Sequence, residues 1–273
     1  MSIEGERLID RLALVTGASG GIGKAVAEGL VSEGAYVVGT GTKQASVEAI
    51  NDNMGVWGRG VLLDLGSDQE EIIGVLKEIV DTNLARRQAE VGEEATKQLV
   101  TILVNNGGIK ADGPFARMSD EAIDSVIDVN LMGTMRLTRE VVRAARKEPD
   151  VRVITIGSVA SQGHALQANY SASKAGLVGF TRALLGEQNS RFGPNSTATF
   201  NVVEPGLVDT AIIKSIPDDL LKNMVERIPA RRLGTTEDIA RLVTFLALPE
   251  SGYINGSVIP IDGGATAGIN LAG

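Results

Sequence analysis

A tyrosine and a lysine four residues apart, Tyr170 and Lys174, follow a serine at Ser158 in a 273-residue chain. On a helix, positions i and i+4 share a face. That face continues through Leu177, Val178, Thr181 and Leu185, so a phenol and an ammonium would stand on a stripe that otherwise looks core-facing. A buried ammonium is costly unless something pairs with it. Beside a phenol it favours the phenolate and draws the tyrosine pKa down from its reference near ~10 toward working pH. A tyrosine tuned in this way can exchange a proton with a carbonyl or alcohol oxygen. Ser158, just past the β-branched run Val151 to Ile156, could hydrogen-bond the same oxygen. A bare Y-x-x-x-K more often describes a helix with a tyrosine rim and a snorkelling lysine, so the remaining chain has to decide.

The elements that would position these groups alternate between strand and helix. Leu12 to Thr16 reads as a buried strand running into Thr16-Gly17-Ala18-Ser19-Gly20-Gly21-Ile22-Gly23 and then a helix from Ile22 to Ser32. Strand, glycine turn and helix in that order supply what an anionic phosphate needs: bare backbone for close approach and free N–H groups at a helix N-terminus. An ordinary tight turn is the competing reading. Tyr36 to Thr40 is a second strand, and Gly41-Thr42-Lys43 after it carries no acid. An acid there would bond a ribose 2′-OH and repel a 2′-phosphate, so its absence leans toward NADP(H) over NAD(H), unless Lys43 is only a solvated turn lysine. Gly60 to Leu63 is a third strand ending in Asp64-Leu65, where Asp64 either accepts from an adenine amino group or caps the next helix.

Ser67 to Leu99, rich in both charge signs, reads as an extended or broken surface helix, followed by a strand at Thr101 to Val104 and the turn Asn105-Asn106-Gly107-Gly108. A helix from Ser119 to Arg146 has an apolar face at Ile123, Val126, Ile127, Leu131, Leu137, Val141 and Val142. Asn130 falls on that face. A buried amide without partners costs on the order of 1–3 kcal/mol, so Asn130 has either a specific polar role or a bond to a neighbouring strand's backbone. A strand at Thr199 to Val203 leads to Glu204-Pro205-Gly206. A lid-like excursion from Ala211 to Arg232 follows, then a helix at Thr236 to Leu246 and a strand at Ser257 to Ile261.

Composition narrows the class. Hydrophobic residues are 43% with only 3% aromatic, so the core must be Val, Ile, Leu and Ala, which suits a parallel sheet. The net charge of −8, without a Lys/Arg block, gives no electrostatic footprint for nucleic acid or an anionic membrane. There is no cysteine, hence no disulfide, thiolate metal site or cysteine nucleophile, and no metal site is expected. Charged residues in Met1 to Asp10 argue against a signal peptide, and no run is long enough to span a bilayer. A cytoplasmic protein is expected, which makes Asn195-Ser196-Thr197 a chance match to a glycosylation acceptor.

In this order and over nearly the whole chain, Thr16-Gly17-x-x-x-Gly21-x-Gly23, Asp64, Asn105-Asn106-x-Gly108, Asn130, Ser158, Tyr170-x-x-x-Lys174 and Pro205-Gly206 resemble the motifs of the short-chain dehydrogenase/reductase family. Gln167-Ala168-Asn169-Tyr170, Ile228-Pro229-Ala230-Arg231-Arg232-Leu233-Gly234 and Asp262-Gly263-Gly264 are most similar to its branch of 3-oxoacyl-[acyl-carrier-protein] reductases. The resemblance implies an α/β fold: a Rossmann-type doubly wound parallel sheet of about seven strands with helices on both faces. It implies a single domain over residues 1–273 with a substrate lid near 207–234. The implied activity is NADPH-dependent reduction of a 3-oxoacyl thioester, on acyl-carrier protein or CoA, in fatty acid biosynthesis by a homotetramer. Dehydrogenation of another carbonyl or alcohol, such as a sugar or small alcohol, is the alternative, and a cofactor-binding scaffold without turnover a third.

By the same resemblance Tyr170 gives its proton to the carbonyl oxygen and Ser158 holds that oxygen. Lys174 binds the nicotinamide ribose and lowers the tyrosine pKa, and Asn130 holds a water leading from Lys174 to solvent. Cofactor contacts are implied at Gly17, Ser19, Gly21, Ile22, Gly23, Thr42, Lys43, Asp64, Leu65, Asn106, Gly107, Tyr170, Lys174, Pro205, Gly206, Val208 and Thr210. Arg146, Lys147 and Arg191 resemble docking cations for the carrier protein. The chain departs from the pattern at Gly20, where many NADPH-dependent relatives carry arginine, and at Gly107, usually alanine. It departs also in a one-residue-shorter interval around His164 and in a longer Leu84 to Lys97 region.

Overall fold

Alternation within the short apolar runs decides how the sheet is covered. In β1 (Leu12–Val15), Leu12 and Leu14 enter one core while Ala13 and Val15 enter another, as the two-residue period of a strand requires. The computed structural model, which describes residues 6–192, 197–210, 213 and 217–267, repeats this division across seven strands. With β2 (Tyr36–Gly41), β3 (Gly58–Leu62), β4 (Val100–Asn105), β5 (Arg152–Ile156), β6 (Thr199–Pro205) and β7 (Val258–Ile261), the order is β3-β2-β1-β4-β5-β6-β7. Every pairing is parallel. The chain builds outward from β1 to β3, then returns to place β4 against the free side of β1. Their carboxyl ends diverge into a crevice at that reversal, the position where open α/β sheets bind ligands.

One face is covered by α1 (Gly21–Ser32), α2 (Gln44–Met54) and α8 (Thr236–Ala247), which bring Val26, Leu30, Ile50, Ile239 and Val243 onto Ala13, Val15 and Ile154. The other is covered by α3 (Gln69–Val91), α5 (Thr134–Ala144) and α6 (Ala168–Phe192), with Ile72, Ile79, Leu137 and Val141 against Leu14, Leu103 and Phe200. The edge strand β7 is only half-buried and carries Pro260, tolerable where no ladder donor is needed. The excursion beginning at Leu207 is closed at its base: Val208 bridges Gly234, and Gly234 N–H donates to the Leu207 carbonyl at 2.9 Å. It contains α7 (Asp218–Glu226).

Three expectations change. The helix expected from Ser119 to Arg146 is α4 (Asp120–Ile127), a π-helical segment Asp128–Gly133, and α5. A 3.6-residue period read across the whole stretch cannot register one widened turn, and such turns often mark functional sites. Gly133 explains its place: a Cβ there would stand 2.2 Å from the Leu65 carbonyl oxygen, so the backbone approaches where only glycine fits. Asp64 does not cap a helix. Asp68 does so, accepting from Glu71 N–H at 3.0 Å, while Asp64 closes a local turn onto Gly66 N–H at 2.9 Å. The Ser67 to Leu99 region is a helix ending at Gly92 and then an irregular return. The two are held together by Asn83 to Gln98 and Lys97 to Asp81, with Arg86 over the Tyr36 ring at 3.9 Å.

Arg152 was read as part of an apolar strand and is instead the largest fully buried side chain, bonded to the Thr197 carbonyl at 2.5 Å and paired with Asp150. Asn195 and Ser196 of the acceptor match lie outside the described residues. Among the described residues no helix is long and apolar enough to cross a membrane. Gly133→Ala is expected to cost about 1–3 kcal/mol by overpacking against Leu65 and to lower activity by displacing the π segment. Urea unfolding and a rate assay on one preparation check both; a variant as stable as wild type contradicts the close-approach argument.

Candidate active site

Three separate elements deliver the four groups singled out in the sequence. Ser158 follows β5 and opens a 3-10 turn, Val159–Gln162, its hydroxyl accepting from Ala160 N–H at 3.1 Å. Tyr170 stands in the first turn of α6, half-buried, with the Ser158 hydroxyl near enough to favour its phenolate. One turn on, Lys174 is only 4% exposed, and its Nζ donates to the Ile156 carbonyl at 2.8 Å, the end of β5. Asn130 is fully buried in the π segment. Its Oδ1 accepts from Ile109 N–H at 2.8 Å, while Nδ2 donates to the Ile109 carbonyl at 2.9 Å and to Ser173 Oγ at 3.2 Å. Asn130 thus pairs with the segment leaving β4 as a strand would, the plainer of the two sequence readings, and a water-holding role remains a proposal.

The electrostatics correct one expectation. In this cofactor-free chain the Tyr170 phenol is pushed up from its ordinary value, first by burial and also by the nearby Asp112 carboxylate, with the Ser158 hydrogen bond opposing them. Lys174 does not pull it down, because burial falls on the ammonium too: Lys174 is itself lowered to about 8, by burial first and then by repulsion from Lys110. Burying a phenol and an ammonium together penalises both charged forms.

The glycine turn after β1 and the Asn106-Gly107 turn after β4 meet at the crevice between these strands. Gly17 and Gly21 adopt φ of +65° and +53°, and a Cβ on Gly23 would lie 2.2 Å from the Gly17 oxygen. The N-cap Gly20 offers no side-chain cap to α1, leaving donors at the helix start. This is a cradle for phosphate oxygens, and the residues present fit a dinucleotide. Thr16, fully buried, holds it to β4: its Oγ1 accepts from Asn106 N–H at 2.9 Å and Gly107 N–H at 2.8 Å. Asn106 Nδ2 donates to the Thr16 carbonyl at 2.9 Å, so this side chain braces the glycine turn.

Thr210 and Gly21, with Lys24, Asp209 and Glu237, line a cleft of about 350 Å³. Ser19, Thr42, Lys43 and Asp64 are exposed, and Lys43 precedes α2 without capping it. Ile22, Leu65 and Val208 pack into the cores, so what they can offer a ligand is backbone. Pro205 is buried at the end of β6, and Gly206 N–H is bonded to the Ile261 carbonyl at 3.1 Å.

Three charged residues were missed. Lys110 lies 4.8 Å from the centre of the Tyr170 ring, and Asp112 accepts from Gln167 Nε2 at 2.7 Å. Glu204, buried, accepts from Ser161 Oγ at 2.5 Å and so joins β6 to the loop bearing Ser158. Only Glu204 left a signal, an acid closing an apolar strand. His164 is exposed, with Nδ1 against the Ala165 carbonyl at 2.9 Å.

Because Lys174 titrates near 8 when folded and near ~10.4 when unfolded, the unfolded chain holds the extra proton between those values. Wild-type stability should therefore gain on the order of 2–3 kcal/mol over that range from this group. Denaturant midpoints measured across it should rise for wild type relative to Lys174→Met; parallel curves would remove the argument.

With this geometry in hand, comparison with known proteins is specific. A family model described as Enoyl-(Acyl carrier protein) reductase matches residues 17–266. The 3-oxoacyl-[acyl-carrier-protein] reductase FabG of Escherichia coli (strain K12) is 42% identical over 255 residues, 93% of this chain and 96% of the relative. That of Vibrio harveyi is 39% identical over 265 residues, covering 97% and 98%. A solved structure assigned as a gluconate dehydrogenase of Agrobacterium tumefaciens superposes with a TM-score of 0.80 at 30% identity, covering 97% of this chain and 98% of its own. A parallel sheet reversing at a glycine cradle, with serine, tyrosine and lysine converging beside it, places the chain in the short-chain dehydrogenase/reductase family of nicotinamide-dependent oxidoreductases.

Proposed function

We propose that this enzyme reduces 3-oxoacyl thioesters to 3-hydroxyacyl thioesters with NADPH, the carrier-bound thioester of fatty acid synthesis being its substrate. The observation that carries the reading is the Tyr170 phenol, set beside Ser158 and kept protonated by burial. That is the state a proton donor to a carbonyl oxygen needs. When bound, the nicotinamide supplies a hydride to the carbonyl carbon. Tyr170 delivers the proton to the oxygen as the C=O π bond opens, and Ser158 orients that oxygen. Lys174, anchored on the Ile156 carbonyl, sets a positive charge beneath the phenolate that is left.

NADPH rather than NADH is supported by Thr42 and Lys43, exposed beyond β2 where no acid stands. Gly20 has open space where a Cβ would go, so a missing arginine there reflects no steric demand. Arg146 and Lys147 are exposed and, with Lys77, rim a cleft between α3 and α5, a cationic surface for an acidic carrier. The Arg191 side chain lies outside the described residues. On α6, Ala172, Ala175 and Gly179 are exposed and small, which supports close helix packing in a homotetramer, and we place the enzyme in the cytoplasm. The segment from Leu207 to Gly234, clamped at its base, is assigned as the substrate lid of a single domain. Ala211, Ile212 and Lys214 to Ile216 lie outside the described residues.

Following absorbance of NADPH, and separately NADH, with acetoacetyl-CoA as surrogate tests this directly. Oxidation of NADPH in preference to NADH is expected, faster still on carrier-bound acetoacetate. Tyr170→Phe should lower kcat by about 10²–10⁴-fold while keeping NADPH binding. A chain that leaves the thioester untouched but oxidises sugar acids or small alcohols would overturn the substrate assignment.

A further inference from the structure

A second ammonium rests on the catalytic tyrosine. Lys110 Nζ lies 4.8 Å from the centre of the Tyr170 ring, nearer than Lys174 Nζ at 5.6 Å. Lys110 is exposed and enters no ion pair among the described residues. Its position is nonetheless fixed. Immediately before it, Ile109 has both backbone groups bonded to the Asn130 side chain, at 2.8 and 2.9 Å. Just after it, Asp112 is tied to Gln167, and Gly113 N–H donates to the Leu166 carbonyl at 2.8 Å. The strap bearing Lys110 is therefore fastened at one end to the π segment and at the other to the loop that opens α6.

We propose that Lys110 is a positioning residue of the reaction, an ammonium held on the face of the Tyr170 ring to stabilise the negative charge the phenol acquires on giving up its proton. A cation over an aromatic face is attracted by the ring quadrupole, and more strongly once the ring carries charge. The charged groups facing the phenol are few. Lys110 and Asp112 come from the strap after β4, and Lys174 from its own helix. Ser158 adds only a hydroxyl, Glu204 is turned to Ser161, and α4 turns a backbone carbonyl, that of Ala122, to Asn169. Lys110 stands over the ring from the solvent side, 4.8 Å from its centre, nearer than Lys174 on the buried side. That Lys110 lowers Lys174 as well shows the two ammoniums addressing one small volume.

The inference rests on Tyr170 being the proton donor and not on which carbonyl is reduced, so its test avoids the substrate. Phenolate absorbance is titrated in the cofactor-free protein, and the Tyr170 transition is isolated by subtracting Tyr170→Phe, since the chain has three tyrosines. In Lys110→Gln the Tyr170 midpoint should rise by about half to one pH unit. In Lys110→Arg, whose charge persists throughout the titration, it should sit at or below the wild-type value. The limb of the kcat profile that follows Tyr170 should move with the titration for any substrate turned over. An unchanged midpoint in Lys110→Gln, or a rise of equal size in both variants, would overturn the proposal. Failure to reduce acetoacetyl-CoA would leave this result standing and overturn only the substrate assignment.

Discussion

The Asn130 amide is the interaction on which the site depends. Buried without solvent, it must find partners or cost on the order of 1–3 kcal/mol. It finds them on two elements, the strap leaving β4 through both backbone groups of Ile109 and α6 through Ser173 Oγ, and so ties both to the π segment that carries it. The crevice wall, the strap bearing Lys110 and the helix bearing Tyr170 and Lys174 are thereby referred to one point. The widened turn is what lets an amide occupy a face that is otherwise packing surface, and Gly133 against Leu65 is what lets the widened turn lie flat on the end of β3.

Around that point stability is given up for chemistry. Lys174 is nearly fully buried with its Nζ donating to the Ile156 carbonyl, and its ammonium is destabilised enough to titrate near 8. Tyr170 is shifted the opposite way by the same burial. An apolar helix face without these two groups would pack at lower cost. The Cβ clearances at Gly17, Gly23 and Gly133 show the same exchange in the backbone, where side-chain contacts are absent so that chain segments can approach within van der Waals distance.

Much of this was legible in the chain. The apolar runs located all seven strands to within about two residues because a buried parallel strand needs little beyond apolar continuity. The glycine turn, the Asn-Asn turn and the Y-x-x-x-K spacing marked the site because each reflects a local need: bare backbone, a turn, or one helix face. What escaped depended on distant partners. Arg152 was passed over within the run Val151 to Ile156, and only the fold shows it buried against Asp150 and the Thr197 carbonyl. Asp64 could not be separated from Asp68 as a cap, since both are acids just before the same helix.

The sequence by itself determined the alternation of strands and helices and the parallel sheet, because these follow from periodicity and apolar continuity; it singled out Ser158, Tyr170 and Lys174 as candidates, and their roles came from the family resemblance. Only the tertiary structure decided the direction of the pKa shifts and the reach of Lys110. Proximity of a lysine to a tyrosine argues for a lowered phenol only if the ammonium keeps its charge, and that depends on how much water the surrounding elements exclude. Lys110 is sixty positions from Tyr170 in the chain and 4.8 Å from its ring in the fold. No periodicity connects them; the strap does, through bonds that exist only once β4, the π segment and α6 have met.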